Sequence, residues 1–295
     1  MKLTTENKPR VIITGSLGYI GSEFFKEIKE KNIEYLLIDK EPQTGPGKLS
    51  FNLGDYEKTF KTIKDFQPDV FIHCGTHSAI AYRDNFLESF TEDLQALTNI
   101  LKSLSAVPQC RLIYFSSSYV YSGLPITGGV SENSLLAPKH NFGVAKSFFE
   151  QFILRNHKNS VIFRLSSVFG AGESKYPNTV LNFAKECLEK GEINIWGQGD
   201  RKIQYVFMKD VLNYILEAFH IEPGIYNLGG DDYVSIADAA QTIAKFFNAK
   251  IVFLKDKPEG EALPFLFNDK IKKVSNKNLF TTFLTSLIEY LGSIK

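Results

Sequence analysis

The sequence predicts an α/β protein: a doubly wound parallel sheet with a smaller α+β lobe in its C-terminal part. Three observations predict it. Short apolar runs alternate with longer amphipathic stretches through the first 170 of the 295 residues, the pattern of βαβ units feeding a parallel sheet. A glycine-rich turn joins the first apolar run to the first amphipathic stretch, where such sheets bind nucleotides. From about Ala171 the alternation loosens, which marks a second and smaller unit.

The buried strands are expected at Val11–Ile13, Tyr35–Ile38, Val70–Ile72, Leu112–Phe115 and Val161–Phe163, each an apolar run too short for a helix. The segments between them suit helices, most clearly Phe86 to Leu104 and Phe142 to Asn156. Gly45-Pro46-Gly47 reads as a surface turn after the second strand. Beyond Ala171 come a helix (Thr179 to Lys190), short strands (Ile193 to Trp196, Gln204 to Phe207) and a further helix (Asp210 to Phe219). The division is therefore residues 1–170 for the sheet domain and 171–295 for a lobe whose pieces interleave with it.

Composition narrows the function. Hydrophobic residues make up 43% of the chain and the formal net charge is +1. A packed interior is therefore available, and no global field draws in nucleic acid or an anionic membrane. An anionic ligand must be held by local groups. Cys74, Cys110 and Cys187 are far apart, without C-x-x-C pairing, so reduced thiols are expected and no metal. Residues 1–10 are polar and no apolar run approaches a membrane span; a cytoplasmic protein is expected.

Directly after the first strand comes Thr14-Gly15-Ser16-Leu17-Gly18-Tyr19-Ile20-Gly21. A strand-to-helix turn of this kind aims backbone N–H groups and the positive helix end at a pyrophosphate, and residues without Cβ permit close approach. Gly15 suits the turn, Gly18 the phosphate and Gly21 the packing of helix on strand, with Ser16, Tyr19 and Ile20 lining the same place. Asp39 follows the second strand, 18 residues after Gly21, where a carboxylate accepts hydrogen bonds from the adenosine ribose and repels a 2′-phosphate. NAD is thus the expected cofactor, on a Rossmann-type sheet.

The glycine spacing resembles the TGxxGxxG fingerprint of the extended short-chain dehydrogenase/reductase superfamily, and the resemblance runs from about residue 10 to 292. It implies that Asn52 and Leu53, in Asn52-Leu53-Gly54-Asp55, lie by the adenine. Ile72-His73-Cys74-Gly75-Thr76-His77 resembles the V-I-H-x-A-A segment, whose backbone runs along the cofactor at Cys74, Gly75 and Thr76. His73 is expected to be packed at a strand end, and His77 to point into the cleft.

In this family a serine or threonine after the fourth strand binds the substrate oxygen. A tyrosine shuttles its proton, and a lysine four residues on holds the nicotinamide ribose. Ser116-Ser117-Ser118-Tyr119-Val120-Tyr121-Ser122-Gly123 resembles the S-[ST]-x-x-V-[YF]-x-G segment, especially its form in dTDP-4-dehydrorhamnose reductases. The alignment puts Ser117 at the catalytic hydroxyl, with Ser118 and Tyr119 toward the substrate. Pro138 to Lys146 resembles P-x-x-x-Y-G-x-S-K, but Phe142 stands at the tyrosine position. Lys146 is one helical turn further, on the same face. Phenylalanine moves no proton, so acid/base help worth roughly 100- to 10,000-fold is lost unless another group supplies it. Four readings stay open. The residue is a substitution made in a tyrosine parent, Tyr119, Tyr121, His77, His140 or water carries the proton, the chain binds NAD without catalysis, or the motif is accidental.

Arg164 to Gly170 resembles the R-x-x-x-V-Y-G segment that begins the substrate lobe of nucleotide-sugar epimerases and dehydratases, and places Ser167 near the substrate. Gly197 to Val211 resembles their G-x-G-x-x-x-R-D-[FY] run, with Ile203 where the diphosphate-clamping arginine belongs and Gln204 for the aspartate. Arg201 or Lys202 must then serve a diphosphate; Arg83 and Lys175 are further candidates. The resemblance implies hydride transfer at a ring carbon of a nucleotide-activated sugar, and a homodimer formed through the long helices beginning near Phe86 and Phe142. Competing readings are a non-catalytic NAD-binding scaffold or regulatory subunit, and an enzyme acting on a non-nucleotide substrate.

Overall fold

The runs at Val11, Val70, Leu112 and Val161 are buried strands in a computed structural model that describes residues 8–295, whereas Tyr35 and Leu36 are half-buried and Trp196 is exposed. Part of the polar N-terminal stretch, residues 1–7, lies outside the described residues. Seven parallel strands form the main sheet: β1 (Arg10–Thr14), β2 (Glu34–Asp39), β3 (Lys48–Ser50), β4 (Val70–His73), β5 (Arg111–Ser117), β6 (Ser160–Leu165) and, much later in the chain, β10 (Gly224–Leu228). Their order across the sheet is β10-β6-β5-β4-β1-β2-β3.

Strand side chains alternate between the two faces, so one run serves two cores. Val11 and Ile13 pack with Phe24 and Ile28 of α1 (Tyr19–Ile28) and Val211 and Ile215 of α7 (Met208–Glu217). Ile12 packs in the opposite core, which is covered by α4 (Phe86–Leu104) and α5 (Asn141–Asn156). Between β1 and β4 the chain order reverses direction across the sheet, and Thr14 and His73 end the two strands side by side. That reversal opens a crevice at the carboxyl edge, the general ligand position of doubly wound sheets.

The smaller lobe has its own apolar core, around Phe169, Phe183, Tyr205, Ile243 and Leu287. It contains β7 (Ser167–Phe169), α6 (Thr179–Lys190), β8 (Glu192–Trp196), β9 (Lys202–Phe207), β11 (Tyr233–Ser235), α8 (Ile236–Phe247), β12 (Lys250–Leu254) and α10 (Phe283–Ile294). Strands β11, β9 and β7 make one small sheet, β12 and β8 another. Helix α7 and strand β10 leave this lobe to complete the main sheet domain, and α9 (Asp269–Ser275) packs on β10.

Helix α2 (Tyr56–Phe66) falls in one of the segments read as helical, with Thr59 and Ile63 buried. Two strands had no clear sequence signal. Strand β12 leaves Val252 and Phe253 partly exposed, and β3 has three residues on a sheet edge. No helix among the described residues is long and apolar enough to cross a membrane.

Candidate active site

The glycine turn is held by close approach of two strand ends. Gly15 has φ +64°, and a Cβ there would lie 2.5 Å from the Gly75 nitrogen. A Cβ on Gly21 would sit 2.3 Å from the Gly15 carbonyl oxygen, so α1 seats on the turn only with glycine present. Gly18 is the N-cap of α1 and supplies no side chain to its free N–H groups, which leaves them for an anion. Asp39, at the tip of β2, accepts the Leu17 N–H at 2.9 Å and the Glu41 N–H at 3.1 Å. These bonds fix its carboxylate at the rim of the turn.

From here one groove crosses the carboxyl edge of the sheet. Its first section, about 360 Å³, is lined by Gly15, Gly18, Tyr19, Asp39, Asn52, Leu53, Cys74, Gly75, Thr76 and His77. The second, about 500 Å³, shares Gly18, Tyr19, Cys74, Thr76 and His77 with it and adds Ile20, Ser117, Phe142 and Lys146. The third, about 330 Å³, continues from Ser117 to Ser118, Tyr119, Ser167 and Arg201. Of the cofactor and substrate residues expected at the site, Ser16 and Gly21 line none of these sections: Gly21 packs under the turn, and the buried Ser16 hydroxyl is donated to Gln43 at 3.3 Å. The glycine cradle, the fixed carboxylate and a groove running on from them fit a dinucleotide.

Lys146 lies beneath the centre of the groove, almost fully buried. Its ammonium donates to Thr76 Oγ1 (3.0 Å), Tyr114 Oη (3.1 Å) and the Phe115 carbonyl (2.9 Å). Burial lowers its pKa to about 8, against the opposing pull of Asp93 and Glu150. Thr76, Phe115 and Lys146 itself line the groove wall, so this cation is within reach of a ligand. The Phe142 ring stands 5.4 Å from Lys146 Nζ and packs between Tyr82 and Tyr119. Ser117 Oγ accepts the Tyr119 N–H at 3.3 Å, opening a short 3-10 turn over Ser118–Tyr121.

His77 is gripped by Asp93 of α4, which accepts from its Nδ1 at 2.8 Å and from its backbone N–H at 3.1 Å. Tyr82, in the short helix α3 (Ala79–Asp84), donates to the same carboxylate at 2.8 Å. The hydrogen bond to Asp93 raises the His77 pKa, with further help from Glu92 and against partial burial. Burial opposes the Asp93 charge, yet the His77 hydrogen bond and the Lys146 charge hold its pKa below the ordinary value. His73 is a packed residue: its Nδ1 meets Thr14 Oγ1 at 2.7 Å, and burial lowers its pKa to about 4. Burial likewise pushes the Cys74 thiol up to about 12, which leaves it unreactive.

Tyr121 and His140 stand apart from the reacting centre. Tyr121 is fully buried and bonds to Arg164, the Ser131 carbonyl and Asn227. His140 is half exposed and lies 3.4 Å from Glu261. Arg164 itself is buried in an ion pair with Glu150. Gln204, at the aspartate position of the family run, is buried as a clamp that donates to the Gly230 and Leu266 carbonyls and accepts the Leu266 N–H. A carboxylate could not donate to those carbonyls. Ile203 and Lys202 line the third section beside Arg201. Lys175 reaches the junction of the first two sections from the loop before α6, while Arg83 pairs with Asp84 on the exposed face of α3. Sequence reasoning missed Asp93, Tyr82 and Tyr114. Asp93 is separated from His77 by 16 residues and falls at an ordinary helix position; only folding reveals the pairing.

Comparison with known proteins agrees with this geometry. A family model described as the NAD dependent epimerase/dehydratase family matches residues 11–229. The chain is 24% identical over 236 residues to the spore coat polysaccharide biosynthesis protein SpsK of Bacillus subtilis (strain 168), covering 79% of this chain and 78% of that protein. It is 28% identical over 277 residues to methionine adenosyltransferase 2 subunit beta of Xenopus laevis, covering 89% and 80% respectively. The fold superposes on Thermus thermophilus UDP-glucose 4-epimerase in complex with NAD, with a TM-score of 0.83 at 18% identity, over 96% of this chain and 98% of that one.

Proposed function

Since this chain belongs to the NAD dependent epimerase/dehydratase family, we propose that it binds NAD in the first two sections of the groove and acts on a nucleotide-activated sugar held in the third. One observation carries this reading: the groove is continuous from Asp39 and the glycine cradle, past Lys146 and Ser117, to Arg201. When bound, NAD supplies a hydride acceptor at a sugar ring carbon. The chain's own residues do the rest. Asp39 takes the adenosine ribose and disfavours a 2′-phosphate, and Asn52 and Leu53 flank the adenine. Lys146 exchanges its Thr76 partner for a ribose hydroxyl. Ser117 holds the substrate oxygen, with Ser118, Tyr119 and Ser167 along the sugar. Arg201 and Lys202 face the diphosphate in place of the side chain at Ile203.

The test is calorimetric titration with NAD and NADP, followed by a panel of nucleotide-sugars read by NADH absorbance in the unmodified protein and in Phe142→Tyr. The reading expects NAD to bind more tightly than NADP, and NADH to form with a nucleotide-sugar in the unmodified protein or in Phe142→Tyr. Equal affinity for the two dinucleotides removes the role of Asp39. Silence of both proteins toward every sugar removes the enzymatic reading.

A second reading has its own support. Phe142 lacks the phenol, Ile203 lacks the clamping guanidinium, and the relative from Xenopus laevis is named as a subunit of a different enzyme. In that case bound NAD stabilises a surface for a protein partner, and the chain catalyses nothing itself. NAD binding without turnover, together with retention of an enzyme partner on purified NAD-loaded protein, would favour it.

A further inference from the structure

With phenylalanine at the family's tyrosine position, the groove needs another group to take a proton from the sugar hydroxyl as hydride leaves the same carbon. Beside Ser117 and Lys146, the described residues that line its central section offer the imidazole of His77 and the phenol of Tyr176, with the phenol of Tyr119 on the adjoining wall; the Tyr19 phenol is donated to the Gly170 carbonyl at 3.0 Å. His77 is held differently from the two phenols.

His77 is locked. Its Nδ1 and its backbone N–H both bond to Asp93, which is itself braced by the Tyr82 hydroxyl. A histidine so oriented keeps its proton on Nδ1, as an acid/base histidine backed by a carboxylate does, while its Nε2 lies 3.3 Å from the half-exposed Glu92 carboxylate, which a sugar hydroxyl must displace to reach it. His77 also lines the reaction section. The residue before it, Thr76, bonds to Lys146 Nζ at 3.0 Å. The rings of His77, Tyr82 and Phe142 stand in series at 6.4 and 5.6 Å. His77 also lies where the dinucleotide section and the reaction section join.

We infer that His77, oriented by Asp93, moves the substrate proton in this groove in place of the absent phenol. The inference rests on the enzymatic reading above. In the oxidative direction the sugar O–H bond breaks and its proton passes to His77 Nε2, the ring carbon gives its hydride to NAD+, and the carbon becomes a carbonyl. Reversal returns both. The charged and titratable groups facing His77 are Asp93 and Glu92 from α4, Tyr82 from α3 and Lys40 beyond β2. The carboxylates favour the imidazolium and Lys40 opposes it. Oxidation, which needs the neutral ring, therefore speeds up as pH climbs through a titration displaced above that of free histidine.

The experiment is single-turnover reduction of NAD in the full-length NAD-loaded protein, with UDP-glucose and dTDP-glucose as probes, across a pH series. The expected result is a rate that rises with pH, falls roughly 100-fold and loses that pH dependence in His77→Gln, and recovers when Phe142→Tyr is added to His77→Gln. An unchanged rate and profile in His77→Gln overturns the assignment. So does a comparable loss in Tyr119→Phe with His77 intact, or NADH that forms only after Phe142→Tyr. Absence of NADH in both the unmodified protein and Phe142→Tyr strikes the enzymatic reading itself. A second readout does not depend on turnover: the NMR titration of the His77 ring should lie above that of free histidine, fall in Asp93→Asn, and shift when NAD is added. A ring indifferent to both changes refutes the dyad.

Discussion

Replacing Lys146 by methionine separates what this lysine does for the groove from what it does to the fold. Its pKa falls from 10.5 to about 8 on burial, so at neutral pH the charged form costs the folded state about 3 kcal/mol. Methionine removes that penalty. It also leaves Thr76, Tyr114 and the Phe115 carbonyl without their donor, at about 0.5–1.5 kcal/mol each. At pH 7 the two effects nearly cancel. Because the folded-state value is depressed, the unfolded chain binds more protons between about pH 8 and 10.5, and the stability of the unmodified protein rises with pH in that window. By pH 9.5 about 2 kcal/mol of the penalty has gone from the unmodified protein, while the variant never carried it. The difference in Tm between the two proteins should therefore change by roughly 3 °C between pH 7 and 9.5, in favour of the unmodified chain. Paired calorimetric scans measure this directly, since titrations common to both proteins cancel. A Tm difference that is the same at both pH values would refute a lysine held near 8. NAD affinity supplies the functional half: loss of a charged donor to the ribose should weaken binding by roughly 10- to 100-fold at neutral pH.

Other outcomes follow from the same geometry. Gly15→Ala places a Cβ 2.5 Å from the Gly75 nitrogen at φ +64°; left-handed strain and overpacking together should destabilise by about 2–5 kcal/mol, seen as a lower Tm and loss of NAD binding, and an unchanged Tm would contradict the close approach. Glu150→Gln leaves the Arg164 guanidinium buried without its counter-charge, and chemical denaturation should report a loss of about 3–5 kcal/mol. On the outer face of α4 and α5, Leu87, Val144 and Phe148 are 74%, 43% and 44% exposed. If these helices pair two copies of the chain, Phe148→Glu should convert a dimer to a monomer in light scattering with little change in NAD affinity.

Much of the fold was legible because it depends on local pattern. The runs at Val11, Tyr35, Val70, Leu112 and Val161 are apolar over a length only a strand can bury, and Thr14 to Gly21 carries its conformation in its glycines. Strands with few buried side chains, such as β3 and β12, leave a weak pattern and went unread. At the site, residues carried on one short segment were legible together. Phe142 and Lys146 share a helix face and Ser117 sits at a strand end, which spacing alone reveals.

Residue type and spacing were enough to assign a parallel sheet and a dinucleotide turn, and the family resemblance marked the missing phenol. They did not say which polar groups would meet across the fold. That Asp93 grips His77, that Tyr114 shares the Lys146 ammonium, and that Gln204 bonds to the Leu266 carbonyl are pairings between segments 16, 32 and 62 residues apart in the chain. Such pairings leave no periodic trace. Their partners are chosen by which buried donors and acceptors come within hydrogen-bonding distance once the sheet and its helices have packed, and leaving any of them unmatched in a dry interior would cost about 1–3 kcal/mol.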